Sequence, residues 1–149
     1  MTVQTNTIQS QLNLQISNWS VLYTKLHRFH WYVKGPLFFT LHAKFEELYD
    51  EAALVVDQVA ERLLAVQGEP IATMKEYLEM ATIQESNNET KASDMVATLV
   101  KDYTQINESL KQLAELAEAE NDTITNDLAV GLIEKIDTHL WMLNAYLGE

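Results

Sequence analysis

Residues 26–62 read LHRFHWYVKGPLFFTLHAKFEELYDEAALVVDQVAER, and this stretch decides the fold. Upstream of Gly35-Pro36, the apolar residues Ile8, Leu12, Ile16, Trp19, Tyr23, Leu26 and Val33 recur at helical spacing, which predicts a first helix over about residues 6–34. Proline lacks an amide hydrogen and its ring clashes with the preceding turn, so Gly35-Pro36 ends that helix. Beyond the break a second stripe runs through Phe38, Leu41, Phe45, Leu48, Ala52, Val55, Val59 and Leu63. This second helix is expected to end near Gly68, with Pro70 just after it. A long helix, a tight turn and another long helix make an antiparallel hairpin.

The rest of the chain repeats the pattern. Thr73-Met74-Lys75-Glu76 has the form of a capping box and predicts a short helix through about Met80. Ser86-Asn87-Asn88-Glu89 has the same form and is expected to open a third long helix carrying Met95, Leu99, Tyr103, Ile106, Leu110, Leu113 and Leu116. Asn121 to Thr125 interrupts that stripe and can cap a fourth helix with Leu128, Leu132, Ile136, Leu140, Leu143 and Leu147, stopped at Gly148. The expectation is all-α: a four-helix bundle with a short extra helix in the long crossover between helices 2 and 3. One long crossover is the ferritin-like connection.

Composition agrees. With 149 residues, of which 47% are hydrophobic, the chain fits a single domain spanning residues 1–149. Four glycines and two prolines are too few for the turns of an all-β protein. No cysteine is present, which excludes disulfides, thiolate metal sites and cysteine nucleophiles. The opening residues MTVQTNTIQSQLN have neither the basic start nor the apolar run of a signal peptide, and no apolar stretch has membrane-spanning length. A cytoplasmic protein without a membrane partner is expected.

The net charge of −12 is unevenly placed. Residues 1–45 hold no acid and four bases (Lys25, Arg28, Lys34 and Lys44), whereas residues 46–149 set six bases against all 22 acids, a net −16. Such a surface attracts cations and repels phosphate backbones. Most of these carboxylates need only be solubilising, so spacing must single out the functional ones.

His30 lies five residues before Gly35 and His42 six after Pro36, so an antiparallel hairpin brings them to similar heights. Taking His42 as zero at about 100° per residue, Glu46, Asp57 and Glu61 fall near 40°, 60° and 100° on the second helix. All four share one stripe. Height separates them, since fifteen residues from His42 to Asp57 span about 22 Å and metal–ligand bonds are about 2 Å. One chain cannot wrap all five around one centre. A second copy laid antiparallel across a two-fold axis would bring the His30/His42/Glu46 end of one chain to the Asp57/Glu61 end of the other, making two identical sites. Taken singly, a histidine beside Trp31 and Tyr32 is more often a packed core residue, and acids beside Arg62 are ordinary helix surface. The combined imidazole and carboxylate donors suit iron, manganese or zinc. The Glu-x-x-His quartet of a centre inside the bundle is missing from this sequence.

The stretch closely resembles the Dps family of mini-ferritins (DNA-binding proteins from starved cells), particularly the Gram-positive type. The likeness runs from Asn18-Trp19 through residues 26–62 to TMKEYLE, TND and the closing HLWMLNAYL. It implies a twelve-subunit shell built on two-fold dimers, with iron oxidised at two positions in each inter-subunit ferroxidase site. It places His30, His42 and residue 46 on one subunit and Asp57 and Glu61 on its neighbour. Many members carry Asp at position 46, where this chain has Glu46. Hydrogen peroxide, and more slowly dioxygen, would oxidise Fe(II), with the ferric mineral kept inside. His30, Asp57 and Glu61 would hold the tighter iron, and His42 and Glu46 the second.

The resemblance suggests further roles. Trp31 would supply or absorb an electron, against a plain packing role at an interface. Glu47, Asp50 and Glu51 would nucleate mineral, against simple solvation. Asp122 and Asp127 would line an iron pore, besides favouring the start of the last helix as acids do. His27 and His139 read as structural. DNA compaction, for which the family is named, generally uses a Lys/Arg-rich terminal extension. Residues 1–24 have no Lys or Arg, and no Lys or Arg follows Lys135, so direct DNA binding is not expected. A purely structural bundle would leave the His/carboxylate pattern unexplained.

Overall fold

The computed structural model describes residues 6–86 and 88–149, and five helices make up the fold: α1 (Ile8–Tyr32), α2 (Phe38–Ala65), α3 (Met74–Met80), α4 (Ala92–Ala119) and α5 (Thr123–Leu147). α1 pairs with α2 and α4 with α5 as the two hairpins, and α1 packs on α4 to join them. The core is the predicted stripes turned inward. Leu12, Ile16, Trp19, Leu22, Leu26 and Phe29 of α1 meet Phe45, Leu48, Val55, Val59 and Leu63 of α2, with Met95, Leu99, Tyr103, Ile106 and Leu110 of α4 and Leu132 and Ile136 of α5.

The turn after α1 is tight because Gly35 adopts φ +110°, in the left-handed region where other residues are strained, and Pro36 follows it. α2 ends at Ala65, before Gly68. The left-handed position there is taken by Gln67 (φ 67°), while Gly68 is needed for space, since a Cβ would run into the Leu63 side chain.

The crossover runs along α1, and two asparagines hold it. Asn13 Oδ1 accepts from the Ile71 amide at 3.0 Å and its Nδ2 donates to the Glu69 carbonyl at 3.1 Å. Asn18, fully buried, accepts from the Thr82 amide at 2.8 Å and donates to its hydroxyl at 3.0 Å. These bonds pair partly buried loop amides that no helix satisfies. Thr73 caps α3 as its sequence suggests, its side chain accepting from the Glu76 amide.

The second proposed box does not open a helix. α4 begins at Ala92 with Lys91 as an N-cap that makes no side-chain bond. Ser86 Oγ donates to Glu89 Oε1 at 2.8 Å and Thr98 Oγ1 donates to Glu89 Oε2 at 3.0 Å. That network fastens the loop to the side of α4. Asn87 lies outside the described residues.

Lys25 is no surface cation. Its Nζ meets Asp102 Oδ2 at 2.6 Å with both side chains buried, tying α1 to α4. Burial pushes the Asp102 carboxyl above its ordinary range, an effect the Lys25 ammonium opposes. Among the described residues, no helix is long and apolar enough to cross a membrane.

Candidate metal centre

His30 sits in the last turn of α1 and His42 near the start of α2, and the Gly35-Pro36 turn folds them face to face. Their rings stack with centroids 3.7 Å apart and planes 13° from parallel. Each histidine bonds the other's backbone: His30 Nδ1 lies 2.6 Å from the His42 carbonyl, and His42 Nδ1 lies 2.8 Å from the His30 carbonyl. A carbonyl only accepts, so both Nδ1 atoms carry the hydrogen. In the neutral rings this leaves the lone pair on Nε2, the state a metal requires, with orientation set by the second bond.

Glu46, one turn after His42, brings Oε1 to 4.0 Å from His30 Nε2. One imidazole nitrogen thus meets a carboxylate near the start of α2, with the His42 ring stacked alongside. Asp57 and Glu61 lie further along the same helix, both exposed. Among the described residues, no three His, Asp or Glu side chains of one chain converge as a metal site. On the ligand stripe the large apolar side chains Phe39, Leu54 and Leu64 are 84%, 72% and 59% exposed. An apolar surface interleaved with candidate ligands is the kind that another molecule covers.

Around the pair is an aromatic shell. Phe38 stacks on His42, centroids 4.8 Å apart. Tyr49 meets His30 edge-on at 5.3 Å and stacks on His27 at 3.8 Å. Trp31 is 66% exposed and its ring lies against His27 at 5.1 Å. Sequence reasoning passed over Tyr49, although it follows Glu46 by three residues and His42 by seven, a spacing that keeps all three near one face. Burial, then the neighbouring His30, pushes the His27 imidazole below its ordinary value, with Asp50 partly opposing.

The remaining candidates fall apart in space. Glu51 turns to α5, where its Oε1 lies 2.8 Å from His139 Nε2, so this carboxylate is already engaged. Glu47 pairs with Lys44 at 3.1 Å, and Asp50 is exposed. Asp122 is the N-cap of α5, accepting from the Thr125 amide at 3.0 Å and hydroxyl at 2.6 Å, with Arg62 Nη2 at 3.1 Å. Burial would raise its carboxyl, but the Thr125 bonds and Arg62 outweigh this and hold it below the ordinary range. Asp127 is exposed one turn further on.

Residues 9–149 match the family described as Ferritin-like domain. The chain is 52% identical over 138 residues to DNA protection during starvation protein 2 of Bacillus anthracis, covering 93% of this chain and 94% of that one. The crystal structure of Dps from Staphylococcus aureus superposes with a TM-score of 0.92 at 46% identity, covering 94% of both chains. Dps from Vibrio cholerae, described as a member of a broad superfamily of ferritin-like diiron-carboxylate proteins, superposes with a TM-score of 0.91 at 32% identity, covering 94% of this chain and 88% of that one.

Proposed function

Because the chain belongs to the Dps family of ferritin-like proteins, we propose that it is a ferroxidase and iron store whose catalytic sites are completed by a second copy. His30, His42 and Glu46 of one chain hold iron together with Asp57 and Glu61 of the other, at two positions per site. The observation that carries this reading is the reciprocal bond between the two histidines, which leaves both Nε2 lone pairs unused, with that of His30 4.0 Å from Glu46 Oε1. Imidazole and carboxylate donors fit iron. The exposed apolar side chains along the ligand stripe support a covering copy, and a two-fold axis makes each contact twice.

Fe(II) is the substrate and hydrogen peroxide, or dioxygen, the oxidant. Two Fe(II) supply the two electrons that break one O–O bond, so no hydroxyl radical is left over. The histidines orient and bind, while the carboxylates offset the rising positive charge as Fe(III) forms. The ferric product is stored inside a dodecameric shell in the cytoplasm, with Asp127 and, more weakly, Asp122 concentrating Fe(II) at a pore and Glu47 and Asp50 nucleating mineral.

DNA is protected by consuming Fe(II) and peroxide, without strong direct binding. Family members are named for DNA protection, but here residues 1–24 hold no Lys or Arg, and of the four bases in residues 1–45 Lys25 is buried against Asp102.

The test is stopped-flow Fe(II) oxidation by peroxide. His30→Ala, and the double variant Asp57→Ala with Glu61→Ala, should assemble yet oxidise Fe(II) far more slowly than the parent, with Glu46→Ala less impaired. Parent-like rates in assembled His30→Ala would move the centre elsewhere.

A further inference from the structure

Away from the candidate centre, a cleft of about 300 Å³ lies between α1 and the crossover, a volume at which small-molecule sites begin. Its walls come from α1 between Ser20 and Arg28, from α3, and from the loop at Glu85 and Ser86. None of the proposed iron ligands borders it.

The lining divides by chemistry. Val21, Met74 and Leu78 make an apolar wall, on which Met74 and Leu78 are 69% and 51% exposed. An apolar body laid there would be removed from water together with them. The hydroxyls of Ser20, Thr24 and Ser86 have already given their hydrogens. They donate to the Ile16 carbonyl at 2.7 Å, the Ser20 carbonyl at 3.4 Å and Glu89 at 2.8 Å. Each oxygen therefore offers the cleft lone pairs and no donor.

Lys25 borders the cleft too, but Asp102 neutralises it at 2.6 Å. Two exposed charges are left. Arg28 has its guanidinium over the Tyr32 ring at 5.0 Å, and neither it nor Glu85 has an ion pair or hydrogen bond among the described residues. One cation, one anion, a set of spare acceptors and an apolar wall are the complement of a zwitterion with an apolar tail.

We propose that this cleft binds a free α-amino acid with a large apolar side chain. The carboxylate pairs with Arg28, the ammonium with Glu85 and the hydroxyl oxygens, and the side chain lies on Met74, Leu78 and Val21. A guanidinium presents paired N–H donors that match a carboxylate. An ammonium carries three donors and no acceptor, which suits oxygens whose hydrogens are spent. A purely anionic ligand would meet Glu85 and a chain of net charge −12. A purely cationic one would meet Arg28.

The experiment is ligand-observed saturation-transfer nuclear magnetic resonance on the assembled protein with millimolar leucine or phenylalanine. Both should show transfer to their side chains, and glycine, which lacks the tail, should show none. Isocaproate is leucine without its ammonium, and leucine methyl ester lacks its carboxylate. Each should bind about ten-fold more weakly than leucine, as loss of a charge-assisted hydrogen bond implies. Arg28→Gln should erase the preference for leucine over its methyl ester, and Glu85→Gln the preference for leucine over isocaproate. Both side chains are exposed, and sedimentation confirms that each variant assembles. No transfer from leucine or phenylalanine, transfer from glycine equal to theirs, or an unchanged preference in either charge variant would overturn the proposal. The readout does not involve iron, so it stands whichever way the ferroxidase test falls.

Discussion

At the scale of single residues, the two histidines do double work. Each is a candidate ligand through Nε2 and a fastener between α1 and α2 through Nδ1. His42→Ala therefore removes a hydrogen bond and a stacked ring as well as a ligand. A loss of about 1–2 kcal/mol is expected from the bond and ring together. Asp57→Ala sits on helix surface that is exposed in the single chain and should change the stability of its own α1–α2 hairpin by no more than about 0.5 kcal/mol. Both should impair Fe(II) oxidation. Denaturant titrations at one fixed protomer concentration separate the two, because assembly couples stability to concentration. Equal stability of the two variants would mean that the clasp contributes nothing to the hairpin.

At the scale of elements, the join between α2 and α5 is electrostatic. Arg62 in the last turn of α2 donates to Thr125 and Asp122 at the start of α5. The Asp122 side chain accepts from the Thr125 amide as a cap, and capping of this kind contributes about 1 kcal/mol. Its carboxyl titrates lower in the folded chain than its ordinary value of 3.8, so the folded state favours the ionised form. The stability from that charge is complete above pH 3.8 and is lost as pH falls through the lower folded value. Asp122→Asn keeps the shape of the cap and removes the charge. The parent should be more stable than this variant at neutral pH, and the gap should close only below the ordinary carboxylate range. A gap that closed near pH 6 would implicate another group. The same pairing bears on the pore: Asp122 already faces Arg62, so Asp127→Asn should slow iron uptake more than Asp122→Asn. Salt should slow the parent more than Asp127→Asn. Uptake kinetics unchanged in Asp127→Asn would leave that residue only its place near the helix dipole.

At the scale of the whole molecule, the candidate ligands of one chain lie at opposite ends of α2, about 22 Å apart along the helix. A stable oligomer is therefore expected by sedimentation at micromolar concentration, and a monomer there would sink the shared site. Each added copy brings a further net charge of −12. Gel-shift titration at ~50 mM salt should accordingly find no complex between the metal-free shell and DNA, since non-specific binding comes mainly from cations at phosphates. In a nicking assay with Fe(II) and peroxide the parent should protect, and the His30→Ala shell should not. A clear shift, or full protection by that variant, would overturn the claim.

Helix positions and core faces were legible along the chain because both follow from local periodicity: Leu12, Ile16 and Trp19 must share a face whatever surrounds them. The hairpin heights of His30 and His42 were legible for the same reason, since one short turn leaves two helices little freedom. The Ser86–Glu89 box misled because the motif has the right spacing but its side chains find partners across space, on each other and on Thr98. Nothing near Lys25 in the sequence marks it as buried; α4 brings Asp102 to it from 77 residues away. Asp122 and Glu51 were readable as acids, but not as acids already engaged by Arg62 and His139. The sequence by itself determined the helices, their apolar faces and the set of candidate ligands, all properties of residues within a few turns of one another. Only the tertiary structure decided the histidine tautomers, the aromatic shell around His30 and which carboxylates remain free, because each depends on an atom supplied by a distant or opposing segment.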